Sequence, residues 1–127
     1  MEKIRLGIIG IGNIGKTHIK NILEGKCPEI ELSALADQDP EKLAFAKQNY
    51  PESITLYDDA QRMLDSGKID AVLVAIPHYF HEKYVVEALK RNIHTISEKP
   101  AGVYTRQVKR MNEAAAKSRA VYALMFN

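Results

Sequence analysis

Residues 3–15, Lys3-Ile-Arg-Leu-Gly-Ile-Ile-Gly10-Ile-Gly12-Asn13-Ile14-Gly15, run from a short apolar, β-branched stretch directly into three closely spaced glycines. The apolar part reads as a strand from Lys3 to Ile9, and the residues from about Asn13 to Glu24 read as the helix that follows. A strand, a Gly-x-Gly-x-x-Gly turn and a helix in direct succession form the phosphate-binding corner of a βαβ unit. The first glycine permits the tight turn, the second lets backbone approach a pyrophosphate, and the third lets helix and strand pack closely. The first N–H groups of the helix have no partner within it, and they face the phosphates. Taken alone the glycine pattern also fits a bare structural turn. A methyltransferase-type domain would carry an acid just before the glycines, where Ile8 and Ile9 stand.

Outward from that corner, apolar runs alternate with amphipathic segments. Further strands are expected at Glu31 to Ala36, Ser53 to Leu56, Ala71 to Ile76, Ile93 to Ser97 and Val121 to Phe126. Helices are expected at Pro40 to Asn49 with Asp39 as cap, Asp58 to Ser66 and Thr105 to Ser118. One more lies between the fourth and fifth strands, where Phe80, Tyr84, Ala88 and Leu89 share a face opposite Glu82, Lys83, Glu87 and Lys90. Strict β-α alternation with right-handed crossovers predicts an α/β fold: a doubly wound parallel sheet of the Rossmann type, strand order 3-2-1-4-5-6, with helices on both faces. Residues 1–127 make one domain on this reading, without repeats or linkers. Ligands of such a sheet bind at the carboxyl ends of its strands.

Asp37 follows the second strand, about 20 positions beyond Gly15, the spacing at which an acid reaches the adenosine ribose. A carboxylate there accepts hydrogen bonds from both ribose hydroxyls and repels a 2′-phosphate. The next residue is Gln38 rather than arginine, so NAD is favoured over NADP. Asp37 could instead cap the following helix, but Asp39, directly before Pro40, is better placed for that. After the fourth strand comes Pro77-His78-Tyr79-Phe80-His81, and after the fifth Glu98-Lys99-Pro100. From spacing alone these are also consistent with a solvated lysine and two helix-terminal histidines.

Composition narrows the rest. A net charge of +2 without a basic stripe speaks against nucleic acid. Apolar runs such as Ala71 to Ile76 are far too short to cross a bilayer. Cys27, the single cysteine, has no internal partner, and no leader pattern precedes the first strand, so a cytoplasmic location is expected. No metal site is expected.

Four stretches together resemble one family, the glucose-fructose oxidoreductase, inositol dehydrogenase and MocA group of nucleotide-dependent sugar and polyol oxidoreductases. They are Gly10 to His18, Asp37, the segment Ala75 to His81 and the Glu98-Lys99-Pro100 triplet, which is the most specific. The resemblance implies reversible hydride transfer between nicotinamide and a secondary alcohol carbon of a sugar, polyol or cyclitol. It implies Lys99 as the catalytic lysine, hydrogen-bonded to the reacting hydroxyl, with Glu98 toward the nicotinamide ribose and Pro100 fixing the turn. The cofactor-binding set it implies is Gly10, Gly12, Asn13, Ile14, Gly15, Asp37, Ile76, Pro77, His78, His81, Glu98, Lys99 and Asn127. The family pattern has asparagine where His78 stands, which weakens that one assignment. It also implies a second domain following residue 127 that carries the proton-relay Asp and His and most of the substrate pocket. The chain alone is then expected to be inactive, and its parent to be a homo-oligomer acting on a small sugar or polyol. Two other readings stay open: a non-catalytic NAD(H)-binding regulatory module, and a reductase of a non-sugar substrate on the same domain.

Overall fold

The computed structural model describes residues 3–26, 28–75, 81–97 and 122–124; at Asn13, Ile14, His81, Glu82, Ser97 and 122–124 it describes the backbone alone. The elements are β1 (Ile4–Ile9), α1 (Asn13–Leu23), β2 (Ile30–Ala36), α2 (Pro40–Asn49), β3 (Thr55–Tyr57), α3 (Ala60–Asp65), β4 (Ala71–Val74), α4 (His81–Lys90), β5 (His94–Ser97) and β6 (Tyr122–Leu124). All adjacent strands pair in parallel, in the order β3-β2-β1-β4-β5-β6. This is the doubly wound order expected from the β-α alternation.

Both faces of the sheet are covered, so its inner strands are apolar on both sides rather than alternating with polar residues. On one face Leu6, Ile8, Leu32, Leu35 and Leu73 pack with Ile19 of α1 and Ala46 of α2. On the other, Ile9, Ala34, Ala36, Val72 and Val74 pack with Met63 and Leu64 of α3 and with Tyr84, Val85, Ala88 and Leu89 of α4. Each large aliphatic side chain fully buried in this way contributes roughly 1.5–3 kcal/mol. Arg91, just past α4, ties these two helices together by donating to Asp65 at 2.6 Å and Glu87 at 2.8 Å. Thr95, the buried polar residue among the described core, has its hydroxyl satisfied by the Ile93 carbonyl at 2.9 Å.

Several boundaries differ from the sequence reading by a residue or two, and at β3 and α3 the local reason is plain. β3 lies at Thr55–Tyr57 rather than Ser53 to Leu56, because the Ile54 N–H turns back to the Pro51 carbonyl while the Asp37 N–H extends the ladder to Tyr57. α3 starts at Ala60 rather than Asp58, because the Asp59 carboxylate caps it by accepting from the Gln61 N–H at 2.9 Å. β4 stops at Val74; Ile76 lies outside the described residues, as does the whole expected helix from Thr105 to Ser118.

β2 holds an irregularity that its sequence hides. Leu6 pairs with Leu32 but Gly7 with Ala34, so Ser33 is an extra residue bulged out of the ladder. The bulge puts Leu32 and Leu35 on one face and Ala34 and Ala36 on the other. No helix among the described residues is long and apolar enough to cross a membrane.

Candidate functional site

The strand ends lie along one edge. Ile9 pairs with both Ala36 and Val74, Ala36 with Tyr57, Val74 with Ser97, and Ser97 with Leu124. The chain runs from β1 outward to β2 on one side and to β4 on the other, so the crevice between these ends is the topological switch point.

At the end of β1 the three glycines meet three different demands. Gly10 has φ +104°, a conformation that side-chain-bearing residues rarely adopt, and its N–H is anchored on the Ala36 carbonyl at 2.8 Å. Gly15 sits against the Gly10 carbonyl oxygen, where a Cβ would overlap that oxygen. Gly12, by contrast, faces open space with nothing within 4 Å of an added Cβ. The first and third are therefore required by the fold, and the second keeps clear a space that the protein itself does not fill.

Gly12 is also the N-cap of α1, which has no side-chain cap and no acidic residue in its first turn. α2 and α3 are each closed by an aspartate, Asp39 accepting from Glu41 N–H and Asp59 from Gln61 N–H, both at 2.9 Å. Of α1, α2 and α3, the helix that opens on the glycine turn is thus the one whose N-terminal donors are left for an outside anion.

Asp37 stands at the end of β2 and is drawn into the turn. Its Oδ2 accepts from the Ile11 N–H at 2.8 Å and its Oδ1 from the Asp39 N–H at 2.9 Å. Each carboxylate oxygen retains a further lone pair for a ligand hydroxyl. The helix cap is Asp39, so Asp37 is free of that structural duty.

A cleft of about 220 Å³ lies over this junction, lined by Ile9, Gly10, Gly12, Ala36, Asp37, Gln38, Lys42, Ala60, Ala75 and Tyr84. Of these the sequence reading assigned Gly10, Gly12 and Asp37 to the cofactor; among those it did not assign are three helix residues, Tyr84, Ala60 and Lys42. Tyr84 was legible as core, and it is buried, but its ring also walls the cleft. Ala60 enters because α3 begins beside the end of β2. Lys42 is the third residue of α2, and side chains there tilt back toward the helix start; that tilt, with Asp39 identified as cap, was the signal available for it.

The structure brings together Gly10, Gly12, Gly15 and Asp37, with Asn13 and Ile14 opening α1 beside them. His81 is the first residue of α4. Ile76, Pro77, His78, Glu98, Lys99 and Asn127 lie outside the described residues; Glu98 directly follows the last residue of β5. Among the described residues no cluster of three or more His, Cys, Asp or Glu side chains could hold a metal. The open space at Gly12, the uncapped α1 and the remaining lone pairs of Asp37 fit a pyrophosphate flanked by an adenosine ribose.

Comparison with known proteins agrees with this geometry. The family described as "Oxidoreductase family, NAD-binding Rossmann fold" matches residues 4–126. The rhizopine catabolism protein MocA of Rhizobium meliloti is 29% identical over 116 residues, covering 91% of this chain and 35% of that protein. Inositol 2-dehydrogenase of Arthrobacter sp. (strain FB24) is 34% identical over 99 residues, covering 78% of this chain and 29% of that protein. The solved structure of scyllo-inositol dehydrogenase from Lactobacillus casei, with bound cofactor NAD(H) and scyllo-inositol, superposes with TM-score 0.88 at 29% identity, covering 97% of this chain and 36% of that one. WlbA dehydrogenase from Bordetella pertussis, in complex with NADH and UDP-GlcNAcA, gives 0.90 at 29% identity, covering 98% and 37%. The chain spans about a third of the length of the curated relatives it matches. Sequence and structure together place the chain in the glucose-fructose oxidoreductase, inositol dehydrogenase and MocA family of oxidoreductases, as its NAD-binding Rossmann fold.

Proposed function

We propose that this chain is the nucleotide-binding part of a dehydrogenase that moves a hydride between nicotinamide and a secondary alcohol carbon of a cyclitol, sugar or polyol. The observation that carries the proposal is the Asp37 carboxylate, held by the Ile11 N–H against an open glycine turn. Inositol dehydrogenases among the relatives support the substrate class. Bound NAD supplies the hydride acceptor at nicotinamide C4. The protein's part is to bind the adenosine and pyrophosphate at the β1 and β2 ends and to stabilise the charge of the reacting alcohol. In the forward direction the carbinol carbon gives up hydride and its hydroxyl gives up a proton, leaving a ketone.

Lys99 is the proposed catalytic residue. Its ammonium would hydrogen-bond the reacting hydroxyl and stabilise the alkoxide-like charge that develops as the hydride leaves. Lysine in the Glu98-Lys99-Pro100 triplet favours this reading over a regulatory module, which needs no cation at a reacting carbon. The proton acceptor and most of the substrate pocket are assigned to a region beyond these 127 residues, as the greater length of the relatives supports. We infer in addition a cytoplasmic homo-oligomer, the single cysteine fitting a reducing compartment.

The test has two parts. The chain is titrated with NADH, and a protein extended to the relatives' length is assayed for NADH formation with inositols, sugars and polyols. Saturable binding and cyclitol or sugar turnover are expected. Lys99→Met in the extended protein should then lower kcat by about 100-fold or more in a protein that still binds NADH. Turnover that survives the Lys99 substitution would remove its catalytic role.

A further inference from the structure

We propose that the Tyr84 hydroxyl hydrogen-bonds the purine base of the bound nucleotide, so that α4 supplies a polar contact to the base from the apolar wall of the cleft. The proposal rests on the dinucleotide reading given above. It adds a contact away from the ribose and pyrophosphate positions at Asp37 and the glycine turn.

Tyr84, the fourth residue of α4, is 7% exposed and packs in the apolar cluster that holds Ala36, Ala60 and Val74. Two of the buried side chains among the described residues carry a hydroxyl, Thr95 and Tyr84. The Thr95 hydroxyl donates to the Ile93 carbonyl at 2.9 Å, whereas the Tyr84 hydroxyl has no hydrogen-bond partner among the described residues. Lys83 lies over the Tyr84 ring, 5.5 Å from its centroid, and leaves the hydroxyl unpaired. Tyr50 and Tyr57 are only half-buried and keep contact with solvent, so Tyr84 stands apart from them. A buried donor without a partner is rare, because it has given up water and received nothing in return. Tyr84 also lines the cleft, so a molecule that fills the cleft is placed to supply the missing partner.

The lining divides by chemistry. Gly12, at the uncapped start of α1, and Asp37 suit a pyrophosphate and ribose hydroxyls. Ala36, Ala60, Ala75 and Tyr84 offer small apolar side chains and a single hydroxyl. A ribose or phosphate set against that wall would leave most of its polar atoms unpaired. A purine has two apolar faces and a polar rim of N1, N3, N7 and, in adenine, a 6-amino group, which matches an apolar wall with one donor.

Tyr84→Phe removes the hydroxyl and keeps the ring. The 127-residue chain and this variant are titrated calorimetrically with NADH, with ADP-ribose, and with ADP-ribose analogues whose base lacks in turn N1, N3, N7 or the 6-amino group. Circular dichroism melts without ligand accompany the titrations. Tyr84→Phe should weaken NADH and ADP-ribose alike, by about threefold to tenfold. One analogue should bind the wild type more weakly by a similar factor, and the variant should not respond to that same deletion. The ligand-free variant should melt at the wild-type temperature or above it, since the hydroxyl it lacks had no partner. An unchanged ADP-ribose affinity, analogues that affect wild type and variant equally, or a ligand-free variant that melts several degrees lower would overturn the role of Tyr84 while leaving the nucleotide site standing. A folded wild-type chain that binds neither NADH nor ADP-ribose would overturn the dinucleotide reading itself.

Discussion

Gly12 and Gly15, three residues apart in one motif, should respond in opposite ways to the same substitution. At Gly12 an added Cβ meets nothing, and the backbone there (φ −86°, ψ −167°) is open to any residue. Gly12→Ala is expected to hold stability within about 0.5 kcal/mol while sharply weakening NADH binding, because the methyl enters the space kept for the pyrophosphate. At Gly15 the Cβ overlaps the Gly10 carbonyl oxygen, so Gly15→Ala is expected to cost roughly 1–3 kcal/mol of folding stability. Denaturant melts and NADH titrations of the two variants separate the roles, and the assignment fails if they behave alike. The spacing of the three glycines was legible in the sequence, and so was Asp37. Its contact with Ile11 was not, because it joins residues far apart in the chain through the pairing of β1 with β2.

Helix ends carry the corresponding contrast among elements. Asp39 closes α2, with Pro40 at its first position, so Asp39→Ala should lower stability by about 1 kcal/mol in a denaturant melt without touching the glycine turn. An unchanged midpoint would mean that the cap does not hold that helix. Element existence and order were readable because each apolar run is bounded by turn residues. Boundaries were less so, since Asp58 and Asp59 are adjacent and either could cap α3; the geometry selects Asp59. The Ser33 bulge escaped notice because Leu32, Ala34, Leu35 and Ala36 look like one continuous apolar run, and only pairing with β1 shows which residue is spare. Among site residues, Lys42 was hidden because the reading moved along the chain from Asp37 and not around the turn of α2.

Across the whole molecule, the two edges of the sheet do different work. The nucleotide cleft lies at the carboxyl ends, whereas Arg5 at the start of β1 grips Asp70, just before β4, through two charged donors at 2.9 and 3.1 Å. The hydrogen bonds from the Arg5 side chain hold the Asp70 carboxyl below its ordinary range, and Arg91 does the same for Glu87. Such carboxyls bind protons less readily in the folded chain than in the unfolded one. Their contribution is therefore present above the ordinary carboxylate range and lost as pH falls through the lowered folded values. The melting temperature should be nearly level from pH 7 to about 5 and decline below about pH 4, and Asp70→Asn should flatten part of that decline. Thermal melts across that range check the sign, and a melting temperature that rises on acidification would refute it. Because Arg5 also donates to the carbonyl of Gly67 at 3.2 Å, the loop just before Lys68 is fixed at the edge away from the cleft. A dye or surface tether joined to Lys68 would leave the cleft pointing into solution, which suits this chain to use as an immobilised sensor of reduced nucleotide.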